Sequence, residues 1–138
     1  MKDTSKIIEE LGLCADFRTF YNENKDYMIS STLSEMLEQI ITSKGLKKSQ
    51  IIKNSEISEI YAYQIFSGVR VPERKKLLAL AVGMNLNIEE TQKLLRCAGY
   101  SQLYVKLPFD SVILYGLCNN MSVVQINGIL YDQGLETI

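Results

Sequence analysis

The sequence predicts an all-α protein built from short helices, and three observations predict it. Only two prolines, Pro72 and Pro108, interrupt 138 residues. Apolar residues recur at helical spacing almost from end to end. The gaps between these runs carry helix punctuation, with polar N-cap residues before a run and glycine after it.

The elements follow in order. Ile7, Ile8, Leu11 and Leu13, then Phe17, Phe20 and Tyr21, predict one or two short helices in an N-terminal segment, 1–28. In 31–44, Leu33, Met36, Leu37, Ile40 and Ile41 fill the i, i+3, i+4, i+7, i+8 positions of an amphipathic helix, and Gly45 is the expected C-cap. A short helix is expected at 48–54, with Leu46 and Ile51-Ile52 turned inward. Ser58 then serves as N-cap for a helix that closes at Ser67-Gly68, with Ala62, Ile65 and Phe66 as its inward stripe. Pro72 fits the first turn of the next helix, which carries Leu77, Leu78, Leu80, Ala81 and Met84. Asn87 and Glu90 have the spacing of a capping box. They open a helix that turns Ile88, Thr91, Leu94, Leu95 and Ala98 inward and closes at Gly99. Segment 100–107 reads as short and extended. Beyond Pro108, helices at 109–119 and 122–133, joined at Asn119-Asn120, are expected to form a hairpin. Its apolar residues, Val112, Ile113, Tyr115, Leu117, Val123, Ile126, Leu130 and Tyr131 among them, exceed what two exposed helices need. They suit a cover for the core or a dimer interface. The organisation is therefore an N-terminal helical segment at 1–28, a five-helix unit at 29–99 and a C-terminal helical extension at 100–138.

Composition bounds the chemistry. Hydrophobic residues make up 46% and charged residues 22%, a globular balance. With no histidine, Ser-His-Asp and Cys-His nucleophilic sites and His-containing zinc sites are excluded. Cys14, Cys97 and Cys118 form no C-x-x-C pair, so neither a metal cluster nor a disulfide framework is expected, and they read as small core residues. Carboxylate pairs such as Glu9-Glu10 and Glu89-Glu90 read as solvated or capping groups, so no enzyme, metal or cofactor is expected. No apolar stretch reaches membrane length, and Met1-Lys2-Asp3-Thr4-Ser5-Lys6 does not lead into a signal-peptide core. A soluble, cytoplasmic protein is the expectation.

The net charge of −1 conceals an uneven distribution. Residues 41–76 hold Lys44, Lys47, Lys48, Lys53, Arg70, Arg74, Lys75 and Lys76 against Glu56, Glu59 and Glu73, while the flanking segments are acidic. Within this basic segment lie two short helices separated by a tight turn, the second entering on a polar cap and ending in glycine. That is the sequence form of a helix-turn-helix.

The text from Leu46-Lys47-Lys48-Ser49-Gln50-Ile51-Ile52 through Tyr61-Ala62-Tyr63-Gln64-Ile65-Phe66-Ser67-Gly68 to Val69-Arg70-Val71-Pro72 resembles the lambda-repressor-like (XRE-type) helix-turn-helix family of bacterial transcriptional regulators. The resemblance runs on through Glu89-Glu90-Thr91, Leu94-Leu95 and Ala98-Gly99-Tyr100. It implies a five-helix lambda-repressor-like domain, a double-stranded DNA partner, and a homodimer acting on a pseudo-palindromic site.

A helix that buries Ala62, Ile65 and Phe66 directs Ile60, Tyr63, Gln64 and Ser67 outward, with Glu59 beside them in the first turn. Glu59, Ile60, Tyr63 and Gln64 are thus the base-contacting candidates. Gln64 matches adenine N6 and N7, Glu59 can accept from cytosine N4, and Ile60 or the Tyr63 ring can pack on a thymine methyl. The phosphate-contacting candidates are Lys47, Lys48 and Ser49 at the start of one helix, Ser58 at the start of the next, and Arg70 and Arg74 after it.

Some positions depart from the family pattern. Glu56 occupies the turn position that is commonly glycine, so either a residue with a Cβ adopts a left-handed backbone or the turn differs. Ile52 stands where a small alanine is usual, which should hold the two helices farther apart. Glu56 and Glu59 also put negative charge toward the presumed DNA face. The alternative expectation is a helix-turn-helix scaffold repurposed for protein–protein interaction, with Ile60, Tyr61 and Tyr63 as an apolar patch and Glu56 and Glu59 meeting a basic partner.

Overall fold

A computed structural model describes residues 3–25 and 32–138. The expected boundary between 28 and 29 and the expected helix start at Ser31 fall outside these residues. The chain divides into two compact units, Met1–Ser30 and Ser31–Ile138. The described residues are helical, with no strand among them, and none of their helices is long and apolar enough to cross a membrane.

The first unit holds α1 (Thr4–Leu13) and α2 (Phe17–Asn24). Both open on an aspartate whose carboxylate accepts an amide of the first turn, Asp3 from Lys6 and Asp16 from Thr19, each at 2.9 Å. The Thr19 amide, then its hydroxyl, hold the Asp16 carboxyl below its ordinary range. The Phe17 ring lies against those of Phe20 and Tyr21.

The second unit holds α3 (Leu33–Lys44), α4 (Lys48–Ser55), α5 (Glu59–Phe66), α6 (Arg74–Gly83), α7 (Ile88–Cys97), α8 (Pro108–Cys118) and α9 (Val123–Asp132). Its centre is α6, where Leu77, Leu78, Ala79, Leu80 and Ala81 are all buried in succession. A helix apolar on every side must be surrounded, and α4, α7 and α9 all pack against it. The α4 contact is close because Gly83 lacks a side chain. A Cβ there would meet the Ser55 hydroxyl and approach its backbone nitrogen to 2.9 Å. Helix α3 packs on α5 and α7, and α8 on α7 and α9. In the α8–α9 hairpin, a Cβ on Gly116 would lie 2.5 Å from the Ile126 side chain, so this glycine sets how closely the helices cross. Val112, Ile113, Leu117, Val123, Ile126 and Leu130 all enter the shared core, so the hairpin covers that core.

Helix ends obey local chemistry. Gly45 takes the left-handed C-cap of α3, and Asn87 and Glu90 close both bonds of a capping box. Glu56 ends α4 with φ 59°, so of the two alternatives the chain takes the left-handed backbone. Two expectations need correction. Pro72 does not enter a helix: α6 starts at Arg74 after the N-cap Glu73, because the buried Pro72 offers its carbonyl to the Tyr100 hydroxyl at 2.6 Å. The cysteines are not core residues, since Cys14 and Cys97 are half-buried and Cys118 is exposed. Segment 100–107 is neither helix nor strand, in keeping with the short connection expected there. Within it the Gln92 amide bonds both backbone groups of Leu103, at 2.7 and 2.9 Å, as a neighbouring strand would.

Candidate nucleic-acid interface

Helices α4 and α5 are joined by Glu56-Ile57-Ser58, a turn made possible by the left-handed backbone at Glu56. Ser58 caps α5, its hydroxyl accepting the Tyr61 amide at 3.3 Å. The stripe Ala62, Ile65 and Phe66 is buried, which fixes the rotation of the helix. Glu59, Ile60, Tyr63 and Ser67 then face solvent, Ile60 at 76% of its full exposure, and Gln64 is half-buried. The four base-contacting candidates therefore share one side of α5.

The phosphate candidates separate into two groups. Lys47 is the N-cap of α4 and supplies no side-chain bond to the first turn. That leaves the helix N-terminus uncapped, with Lys47 and Ser49 exposed beside it, and such a terminus favours an anion. Arg70 is exposed too, its guanidinium 5.2 Å from the centre of the Tyr61 ring. By contrast, Lys48 is tied to Glu38 at 2.6 Å and lies over the Phe66 ring. Arg74 is committed further. It donates from two nitrogens to the two carboxylate oxygens of Asp110, at 3.0 and 3.1 Å, and from Nε and Nη2 to the carbonyls of Ser101 and Gln102. Asp110 is buried and also accepts the Tyr104 amide at 3.0 Å. With four of its five N–H donors filled, Arg74 braces the start of α6 against α8 and keeps a single donor for the expected phosphate contact.

The same pairing runs through the basic segment. Lys44 meets Glu90 at 3.0 Å and Lys75 meets Glu136. The Asn87 amide first, then Lys44, hold the Glu90 carboxyl below its ordinary range. Four of the segment's eight cations are thus matched by carboxylates from elsewhere in the chain. Lys47, Lys53, Arg70 and Lys76 form no ion pair among the described residues. Sequence reasoning missed Glu38, Asp110 and Glu136 as partners. Asp110, in the first turn of α8, looks in the sequence like an ordinary helix-dipole carboxylate.

Comparison with known protein families, curated proteins and solved structures finds no match.

Proposed function

We propose that this chain binds double-stranded DNA through α4 and α5, as a sequence-specific regulator with the lambda-repressor-like arrangement in α3–α7. The observation that carries this reading is the outward set Glu59, Ile60, Tyr63 and Gln64 on a helix whose other side is locked into the core. Beside it stand the uncapped start of α4 and the unpaired Arg70. In this arrangement α5 enters the major groove, Gln64 reads adenine, and Lys47, Ser49 and Arg70 hold phosphates, with the remaining Ser58 hydroxyl proton a fourth donor. A second copy on the neighbouring half-site supplies the specificity that one short helix lacks.

The test is the salt dependence of binding to duplex DNA. With two to four phosphates neutralised per chain, log K should fall against log salt with a slope of about −2 to −4 per protomer. Gln64→Ala should relax preference at one base position, while Lys47→Ala should weaken all sequences alike.

A second reading, a protein partner on the same face, is favoured by the internal pairing of half the cations and by the exposed Ile60 and Tyr63 on the side of α5 that carries Glu59. A salt-independent affinity would decide for it.

A further inference from the structure

The three residues after Gly68, Val69-Arg70-Val71, form a tip that stands in solvent, the two valines at 78% and 67% exposure. Its backbone is nevertheless fastened on both sides. On the α5 side, the Gln64 carbonyl accepts the amides of both Val69 and Arg70, at 3.0 and 3.1 Å. On the α6 side, Pro72 is buried and its carbonyl takes the Tyr100 hydroxyl at 2.6 Å. Two residues further, Arg74 is locked to Asp110. The tip thus lies between one anchor in α5 and another supplied by residues 100–110.

Arg70 itself is held differently from its basic neighbours. Lys44, Lys48, Arg74 and Lys75 are each held by a carboxylate, which neutralises what it positions. Arg70 rests on the face of Tyr61, an uncharged support that orders the guanidinium and leaves its positive charge uncompensated. A cation ordered before its anion arrives loses less side-chain entropy on binding.

We infer that Tyr100 is a positioning residue for Arg70, acting through the Pro72 carbonyl, so that the segment after α7 sets where the guanidinium meets its anion. This rests on the duplex reading for the identity of that anion, but not for the position of Arg70.

The experiment compares the full chain with Tyr100→Phe, Arg70→Ala and the double variant. In the free protein, proton NMR reads the upfield ring-current shift that Tyr61 imposes on the Arg70 side-chain methylenes. Tyr100→Phe removes one hydroxyl and keeps the ring, so the fold should persist, which the amide spectrum checks. The Arg70 methylene shift should collapse toward its random-coil value. An unchanged shift overturns the inference whatever the DNA does. With a random-sequence duplex as probe, Tyr100→Phe should weaken binding by about 2- to 10-fold and flatten the salt slope by up to about 1. It should have no further effect in the Arg70→Ala background. Losses that multiply in the double variant also overturn the inference. If the unaltered chain binds the duplex with no salt dependence, the duplex reading alone falls, and the methylene shift still decides the position of Arg70.

Discussion

The two units use apolar side chains to different degrees. In Ser31–Ile138, Leu37, Ile65, Leu77, Leu80, Leu94, Ile113 and Leu130 vanish into one interior shared by all seven helices. In Met1–Ser30, α1 buries none of its residues, and Ile8, Leu11, Leu13, Phe17 and Tyr21 stay exposed, while Phe20 alone among the described apolar side chains is buried. Both stretches show helical periodicity in the sequence. The contrast teaches that periodicity reports a helix and the side it would bury, not whether anything covers that side. Backbone constraint divides the same way. Every left-handed non-glycine residue among those described, Glu56, Asn85 and Asn120, lies in the second unit, where helices must stop to fit around α6.

Leu80→Ala should give the largest effect, a loss of about 2–5 kcal/mol, because the void sits where α6 is enclosed on all sides. A shift in urea midpoint at constant m-value measures it. A loss under about 1 kcal/mol would mean the two units are less different than their burial suggests. Glu56→Gly should act in the opposite direction, stabilising by about 0.5–1 kcal/mol as a left-handed position loses its Cβ. The same urea titration decides the sign.

Acid sharpens the contrast further. Glu90 and Asp16 are both held below the ordinary carboxyl range, so each favours folding above its unfolded pKa and loses that contribution as pH falls through its folded value. Added salt should raise the Glu90 pKa toward normal, since Lys44 supplies part of the shift. It should leave Asp16 nearly unmoved, since the Thr19 and Arg18 hydrogen bonds lower it without an ion pair. Carboxyl NMR titration at two ionic strengths reads both. Smallest of all should be Leu13→Ser. At 87% exposure the side chain has little burial to lose, so stability should change by no more than about 0.5 kcal/mol. A loss above about 2 kcal/mol would show that this face is covered in solution and would erase the contrast.

Much of this was legible in the sequence because it is local. Ser58, Gly45, Gly99 and the Asn87/Glu90 box act within a few residues of themselves, and each sits where its chemistry requires. The strain at Glu56 was readable for the same reason. What escaped depends on groups far apart along the chain. Arg74 and Asp110 are separated by 36 residues, and nothing near either one distinguishes a brace from a free charge. Pro72 was misplaced because the hydroxyl that claims its carbonyl comes from Tyr100. The outward side of α5 was readable from its buried stripe. The condition of the cations around it was not, since that depends on which carboxylates the fold brings near.

Those ion pairs have one more consequence. Glu38, Glu90, Asp110 and Glu136 are tethered rivals for any incoming polyanion, held at a high effective concentration beside the cations they occupy. A shapeless anionic polymer such as heparin would therefore meet a segment in which four of eight cations are already matched. A ligand whose charges fall in register with Lys47, Lys53, Arg70 and Lys76 would have none of these carboxylates to displace, so the ion pairs favour a fixed geometry of negative charge over a diffuse one.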